Sequence, residues 1–168
     1  TASNNTAVGR SALVANTTGT GNVAVGVNVL DANTTADNNT AVGTGAASSN
    51  TTGAEINAFG TNALFANTTG LANCAFGNSS LDANTTGGLN IAMGIQSLSS
   101  NTTASDNTAI GTFSMRDNTT GAGNVAVGRS ALLFNTTASN NTAIGTYALY
   151  VNTTGHSNTA VGGIALDA

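Results

Sequence analysis

The stretch Asn5-Thr6-Ala7-Val8-Gly9-Arg10-Ser11-Ala12-Leu13-Val14-Ala15-Asn16-Thr17-Thr18-Gly19 decides the fold. Its Ala-apolar-Gly triplet recurs with Gly9, Gly26, Gly43, Gly60, Gly77, Gly94, Gly111, Gly128, Gly145 and Gly162, always 17 residues apart. Its Asn-Thr-Thr triplet recurs on the same period, from Asn16 to Asn152. A fixed period without insertions is the mark of one structural unit stacked on itself. Each unit reads Asn, Thr or Val, Ala, an apolar residue, Gly, two free positions, a small residue, Leu, two free positions, then Asn-Thr-Thr and Gly or Ala.

A 17-residue unit is too short for a helical repeat, which needs about 33 residues or more. About six residues separate its Gly and Asn-Thr-Thr breakers, and isolated helices below about 12 residues are marginal. That leaves room for at most one helical or 3-10 turn, at Ser11-Ala12-Leu13-Val14. A strand fits Asn5 to Gly9. Alternation places Thr6 and Val8 on one face and Ala7 on the other, and β-branched residues favour strands. Gly9 permits a corner, and Asn-Thr-Thr-Gly makes another. The expected fold is therefore all-β: a parallel β-solenoid, or β-roll, of ten 17-residue coils. Residues 1–168 read as a single repeat array. At one strand spacing per coil the rod is roughly 48 Å long. Both ends fall inside the repeat, so an excerpt of a longer fibre, or a subunit that stacks end to end, is expected.

The two apolar positions read as the core: Val8, Leu13, Val25, Leu30, Val42, Phe59, Leu64, Phe76, Leu81, Met93, Leu98, Ile110, Met115, Val127, Leu132, Ile144, Leu149, Val161 and Leu166. Perfect periodicity implies columns of stacked Asn, as in cross-β ladders. One column runs through Asn16, Asn33 and Asn50. Another runs through Asn5, Asn22 and Asn39, and breaks at Ile56, where Asn57 is expected to compensate. Exposed apolar residues such as Phe65, Phe113, Leu133, Phe134, Tyr147, Tyr150 and Val151 point to lateral contacts between chains.

Composition removes several functions. Asn, Thr, Ala and Gly supply 104 of 168 residues, and only 6% are charged. Three Arg and no Lys against seven acids exclude a nucleic-acid face. Cys74 stands alone, so no disulfide framework exists. No run approaches the ~20 apolar residues of a membrane span. His156 is a lone loop histidine, and no Cys/His cluster suits zinc. Asp31, Asp82 and Asp167 share one position, but Asp31 and Asp82 are three coils apart, roughly 14 Å, too far for a carboxylate pair. No catalytic residue, cofactor or metal is expected.

Asn-Thr-Thr also matches the N-glycosylation acceptor. The candidate acceptors are Asn16, Asn33, Asn50, Asn67, Asn84, Asn101, Asn118, Asn135 and Asn152, with weaker ones at Asn4, Asn38, Asn78 and Asn140. The bland reading is that the triplet is only a turn and a ladder. The Thr columns raise ice binding as well. Against it, Thr17 and Thr18 are adjacent and would point oppositely in a strand, and the Thr6 column is interrupted by Val23, Asn57, Cys74, Ile91 and Val125.

Residues 5–13, Asn-Thr-Ala-Val-Gly-Arg-Ser-Ala-Leu, and residues 124–132, Asn-Val-Ala-Val-Gly-Arg-Ser-Ala-Leu, resemble the head repeats of trimeric autotransporter adhesins. Similar repeats occur in phage and viral tail fibres. The resemblance implies a left-handed parallel β-roll, three chains side by side, and attachment at a cell surface. The Asn-Thr-Thr-Gly turn lengthens this unit beyond a typical head repeat. The expectation is a non-enzymatic structural segment of an extracellular filament, adhesin or tail fibre, on a cell or virion surface. Its partners would be itself, as a lateral trimer or end-to-end filament, covalent glycans, or a receptor. The alternatives are recognition of a host carbohydrate or receptor, and ice binding.

Overall fold

A computed structural model describes residues 1–167. It is an all-β parallel solenoid. Ten three-residue strands form one sheet in chain order: β1 (Thr6–Val8), β2 (Val23–Val25), β3 (Thr40–Val42), β4 (Asn57–Phe59), β5 (Cys74–Phe76), β6 (Ile91–Met93), β7 (Thr108–Ile110), β8 (Val125–Val127), β9 (Thr142–Ile144) and β10 (Thr159–Val161). Register is uniform: Ala7 pairs with Ala24, Ala24 with Ala41, and so on up the stack.

Strands this short are held because hydrogen bonding continues around most of the coil. Gly77 N–H donates to the Phe59 carbonyl (2.8 Å), Leu64 N–H to the Ser80 carbonyl (3.0 Å), and Thr68 N–H to the Thr85 carbonyl (2.9 Å). Each coil thus satisfies its polar backbone against the coils on either side.

No helical or 3-10 turn forms among the described residues; the stretch from Ser11 to Val14 is a turn. Its backbone alternates into the left-handed region, at Ser11 (φ 59°) and Leu13 (φ 53°), and repeats this in every coil. Such residues cost roughly 1–2 kcal/mol each. The Leu13 position recovers the cost through burial: Leu30, Leu64, Leu81, Leu98, Met115 and Leu132 are fully enclosed.

The core differs from the sequence expectation chiefly at the strand. Ala24 and its equivalents up to Ala143 are the strand residues that point inward, and all are fully buried. The apolar residue that follows faces out. Val8, Phe76, Met93, Ile110, Ile144 and Val161 are exposed, and Val25, Val42, Phe59 and Val127 are half-buried. These ten are not core. The coil is too thin for two large side chains to meet across it. The Leu13 column and the residues of the Ala12 column, including Val29, Ala46, Ser97 and Ser114, already fill the space opposite the sheet, leaving room for a methyl. Leu166 of the last coil is also exposed, at 58%.

The glycine that ends each strand is fixed by the same crowding. At Gly77 (φ +139°) a Cβ would lie 2.5 Å from the carbonyl oxygen of Gly94 in the next coil.

Candidate functional site

The Asn of each Asn-Thr-Thr triplet lies inside the coil. Asn33, Asn50, Asn67, Asn84, Asn101, Asn118 and Asn135 are fully buried, and Asn16 and Asn152, in the end coils, are half-buried. Asn67 shows the pattern. Its Nδ2 donates to Asn50 Oδ1 (2.8 Å) and to the Gly70 carbonyl (2.9 Å), and its Oδ1 accepts from Asn84 Nδ2 (2.8 Å). The first bond is the ladder and the second closes the Asn-Thr-Thr-Gly corner. Both Nδ2 hydrogens are consumed. Glycan attachment replaces one of them and needs space for a sugar. In the folded chain these seven amides have neither a free Nδ2 hydrogen nor exposed surface.

The sequons expected to be weaker are the accessible ones. Asn4, Asn38, Asn78 and Asn140 are exposed. Asn4, Asn38 and Asn140 share one column and one backbone conformation, with φ between 59° and 61°.

The second Asn column is buried too. Asn90 Nδ2 reaches the Ala104 carbonyl (2.9 Å), and its Oδ1 accepts from Asn107 N–H (3.1 Å). At Ile56 the column fails. Asn39 Nδ2 is buried without a partner, and Ile56 offers no acceptor to the amide of Asn73. Asn57 does not compensate, because it belongs to β4 and faces solvent.

Thr17 and Thr18 sit in a bend, not a strand, so the objection from strand alternation does not apply. Thr17 and its equivalents up to Thr119 bond their hydroxyls to the next coil: Thr17 Oγ1 donates to the Thr34 carbonyl (2.9 Å) and Thr68 Oγ1 to the Thr85 carbonyl (3.0 Å). The Thr18 column is exposed along its whole length.

Two further surfaces stand out. The outer face of the sheet carries the displaced apolar column, including the stacked rings of Phe59 and Phe76 (centroids 4.6 Å, interplanar 6°). On the wall after the strand, Phe134 and Tyr147 each meet Tyr150 edge-on, at 5.0 and 5.1 Å. The Arg129 guanidinium lies over the Tyr147 ring at 5.7 Å. Arg116 lies over Phe113 at 5.9 Å and is paired with Asp117 at 2.7 Å.

Reactive groups are scattered. Cys74 is half-buried on the outer sheet face, and burial pushes its thiol pKa up, which disfavours the nucleophilic thiolate. His156 is exposed and its Nδ1 accepts from Ser139 N–H (3.0 Å). Burial raises the Asp82 carboxyl, partly offset by bonds from backbone amides and Ser79. Among the described residues no group of His, Cys, Asp or Glu could hold a metal, and no helix is long and apolar enough to cross a membrane. No protein-family model matches this chain, and neither a curated protein nor a solved structure does.

Proposed function

We propose that this chain is a non-enzymatic structural segment of an extracellular fibre, adhesin or tail fibre, and that it packs side by side with copies of itself. One observation carries the reading: a sheet face whose outer column is apolar without a break and is half-buried or exposed along its length. Val25, Val42, Phe59, Phe76, Met93 and Ile110 follow one another up that face without a charge between them. Exposed apolar surface of this continuity marks an interaction site. A second copy, presenting the same column at the same spacing, fits it in register. The aromatic and arginine wall lies outside this face and serves the alternative reading, in which variable residues recognise a receptor or saccharide.

Analytical ultracentrifugation tests the proposal. The intact chain is expected to sediment as an oligomer, and the double variant Met93→Lys/Ile110→Lys as a monomer with an unchanged circular-dichroism spectrum. A parent chain that stays monomeric at every concentration defeats lateral self-association. Glycan-array binding that is lost when Tyr147 and Arg129 are replaced by Ala favours the recognition reading instead.

A further inference from the structure

Each invariant position of the repeat has a reason in the fold, with one exception. The strand Ala fills a methyl-sized space, and the strand-ending Gly avoids the next coil's carbonyl. The Asn of the triplet is a ladder rung, and the first Thr bonds the next coil's backbone. The second Thr has no such role. Thr1, Thr18, Thr35 and their equivalents up to Thr154 make ten Thr in ten coils. All are exposed, and their hydroxyls form no hydrogen bond among the described residues. The backbone bond of Thr18, from its N–H to the Thr34 carbonyl (3.2 Å), needs no particular side chain. Other exposed columns show what freedom looks like. The Arg10 column runs through Val27, Asn78, Ile95 and Gly163. The glycosylation sequon would also demand the second Thr, but the Asn it serves is buried at seven of nine sites.

We propose that the Thr18 column, flanked by the Thr17 column, is an ice-binding surface. It presents hydroxyl and methyl groups at one strand spacing, about 4.8 Å, along the whole rod. A hydroxyl that holds a single water gains little, because immobilising that water costs entropy. Ten rigidly spaced hydroxyls act together only on a ligand that is itself periodic, where each contact after the first is nearly intramolecular. A crystal face of water is such a ligand. Neither Thr column holds a charged residue, and the position after them is only Gly or Ala. An extended polysaccharide would need ring platforms, and the stacked Phe59 and Phe76 lie on the sheet's outer face, with the other aromatic cluster on the wall after the strand. This proposal does not depend on lateral self-association.

Nanolitre osmometry of the full chain, made in a host that adds no glycans, tests it. The expected result is a freezing-point hysteresis that grows with protein concentration, with shaped ice crystals. Thr69→Lys/Thr86→Lys/Thr103→Lys is expected to abolish it, and Gln96→Lys on another wall to leave it unchanged. Thr69→Val/Thr86→Val/Thr103→Val keeps the branched shape without hydroxyls and is expected to reduce it several-fold, which covers the case where the Lys variant does not fold. Absence of hysteresis in the intact chain overturns the proposal, as does its full retention in a folded Lys or Val variant. Sedimentation of the same samples reads self-association separately.

Discussion

Asn84 Nδ2 donates to Asn67 Oδ1 at 2.8 Å, between two side chains 17 residues apart and both sealed from solvent. The same amide closes its own corner on the Gly87 carbonyl at 2.9 Å, and its Oδ1 accepts from Asn101 Nδ2 at 2.9 Å. Asn84→Ala removes all three bonds. It leaves Asn67 Oδ1 without a donor and one Asn101 hydrogen without an acceptor, each costing about 1–3 kcal/mol. Urea denaturation is expected to show a loss of about 3 kcal/mol or more. A loss under about 1 kcal/mol, in the range of an exposed residue, means the ladder does not hold the coils.

Glycines in the chain differ sharply in what they permit. Gly77→Ala places a methyl 2.5 Å from the Gly94 carbonyl oxygen and 2.6 Å from its carbon, at φ +139°. A Cβ has no rotamer to escape by and the atoms it meets are backbone, so neither side can turn away. The expected outcome is separation of the stack at that level, seen as a large fall in thermal midpoint or failure to fold. Gly88 has no positive φ, and its column elsewhere holds Ala54 and Ala122. Gly88→Ala is expected to stay within about 1 kcal/mol of the parent. Equal effects from the two substitutions would contradict the stacking geometry.

The broken Asn column gives a local measurement. Asn90 N–H is met by Asn73 Oδ1 at 3.0 Å, and Asn107 N–H by Asn90 Oδ1 at 3.1 Å. Ile56 offers no such oxygen to Asn73. Amide hydrogen exchange is therefore expected to be faster at Asn73 than at Asn90 or Asn107, because an unpaired amide opens more readily. Ile56→Asn supplies the acceptor and is expected to slow exchange at Asn73. Uniform protection along the column contradicts the break.

How much of this was legible follows from what a period can encode. A 17-residue repeat with Gly and Asn-Thr-Thr breakers dictates stacked coils, parallel strands and ladders, and the uniform register has that form. Alternation also fixes that Thr6 and Val8 share a face opposite Ala7. It does not fix which face turns inward. That choice depends on the width of the coil, which is set by Leu13 and the Ala12 column across the sheet. The signal was present in the invariant Ala, since a position that tolerates only a methyl is a position without space. The Thr pair is hard to read for a related reason. Strand alternation does not hold in a bend, where the Thr18 column is exposed and most of the Thr17 column is half-buried.

Asp82 gives a pH dependence of defined sign. Its carboxyl is raised above the ordinary value by burial, so the folded chain holds that proton to higher pH than the unfolded chain. Its contribution to stability is fully present below the unfolded carboxylate range and declines as pH rises through the folded value. Asp82→Asn is neutral throughout and keeps an oxygen for Ser79. At neutral pH the variant is expected to be as stable as the parent or more so, and the gap is expected to close in strong acid. Calorimetry across the acid range checks this. A variant less stable than the parent at neutral pH contradicts burial as the dominant cause.

The buried ladder also governs which sequons can be used. In a host that attaches glycans to Asn-x-Thr or Asn-x-Ser, the folded product is expected to carry them at Asn38, Asn78 or Asn140, whose side chains face solvent. It is expected to carry none at Asn50, Asn67, Asn84, Asn101 or Asn118, where a sugar would replace a ladder hydrogen and displace the neighbouring coil. Attachment during synthesis could still reach those residues before the coils close. Such chains would lose the rung and the corner bond together, and would partition into the unfolded fraction. Glycopeptide mass spectrometry on separated folded and unfolded fractions reads both outcomes. A folded fraction occupied at Asn67 or Asn84 would require the amide to leave the interior, and would overturn the ladder as the element that joins successive coils.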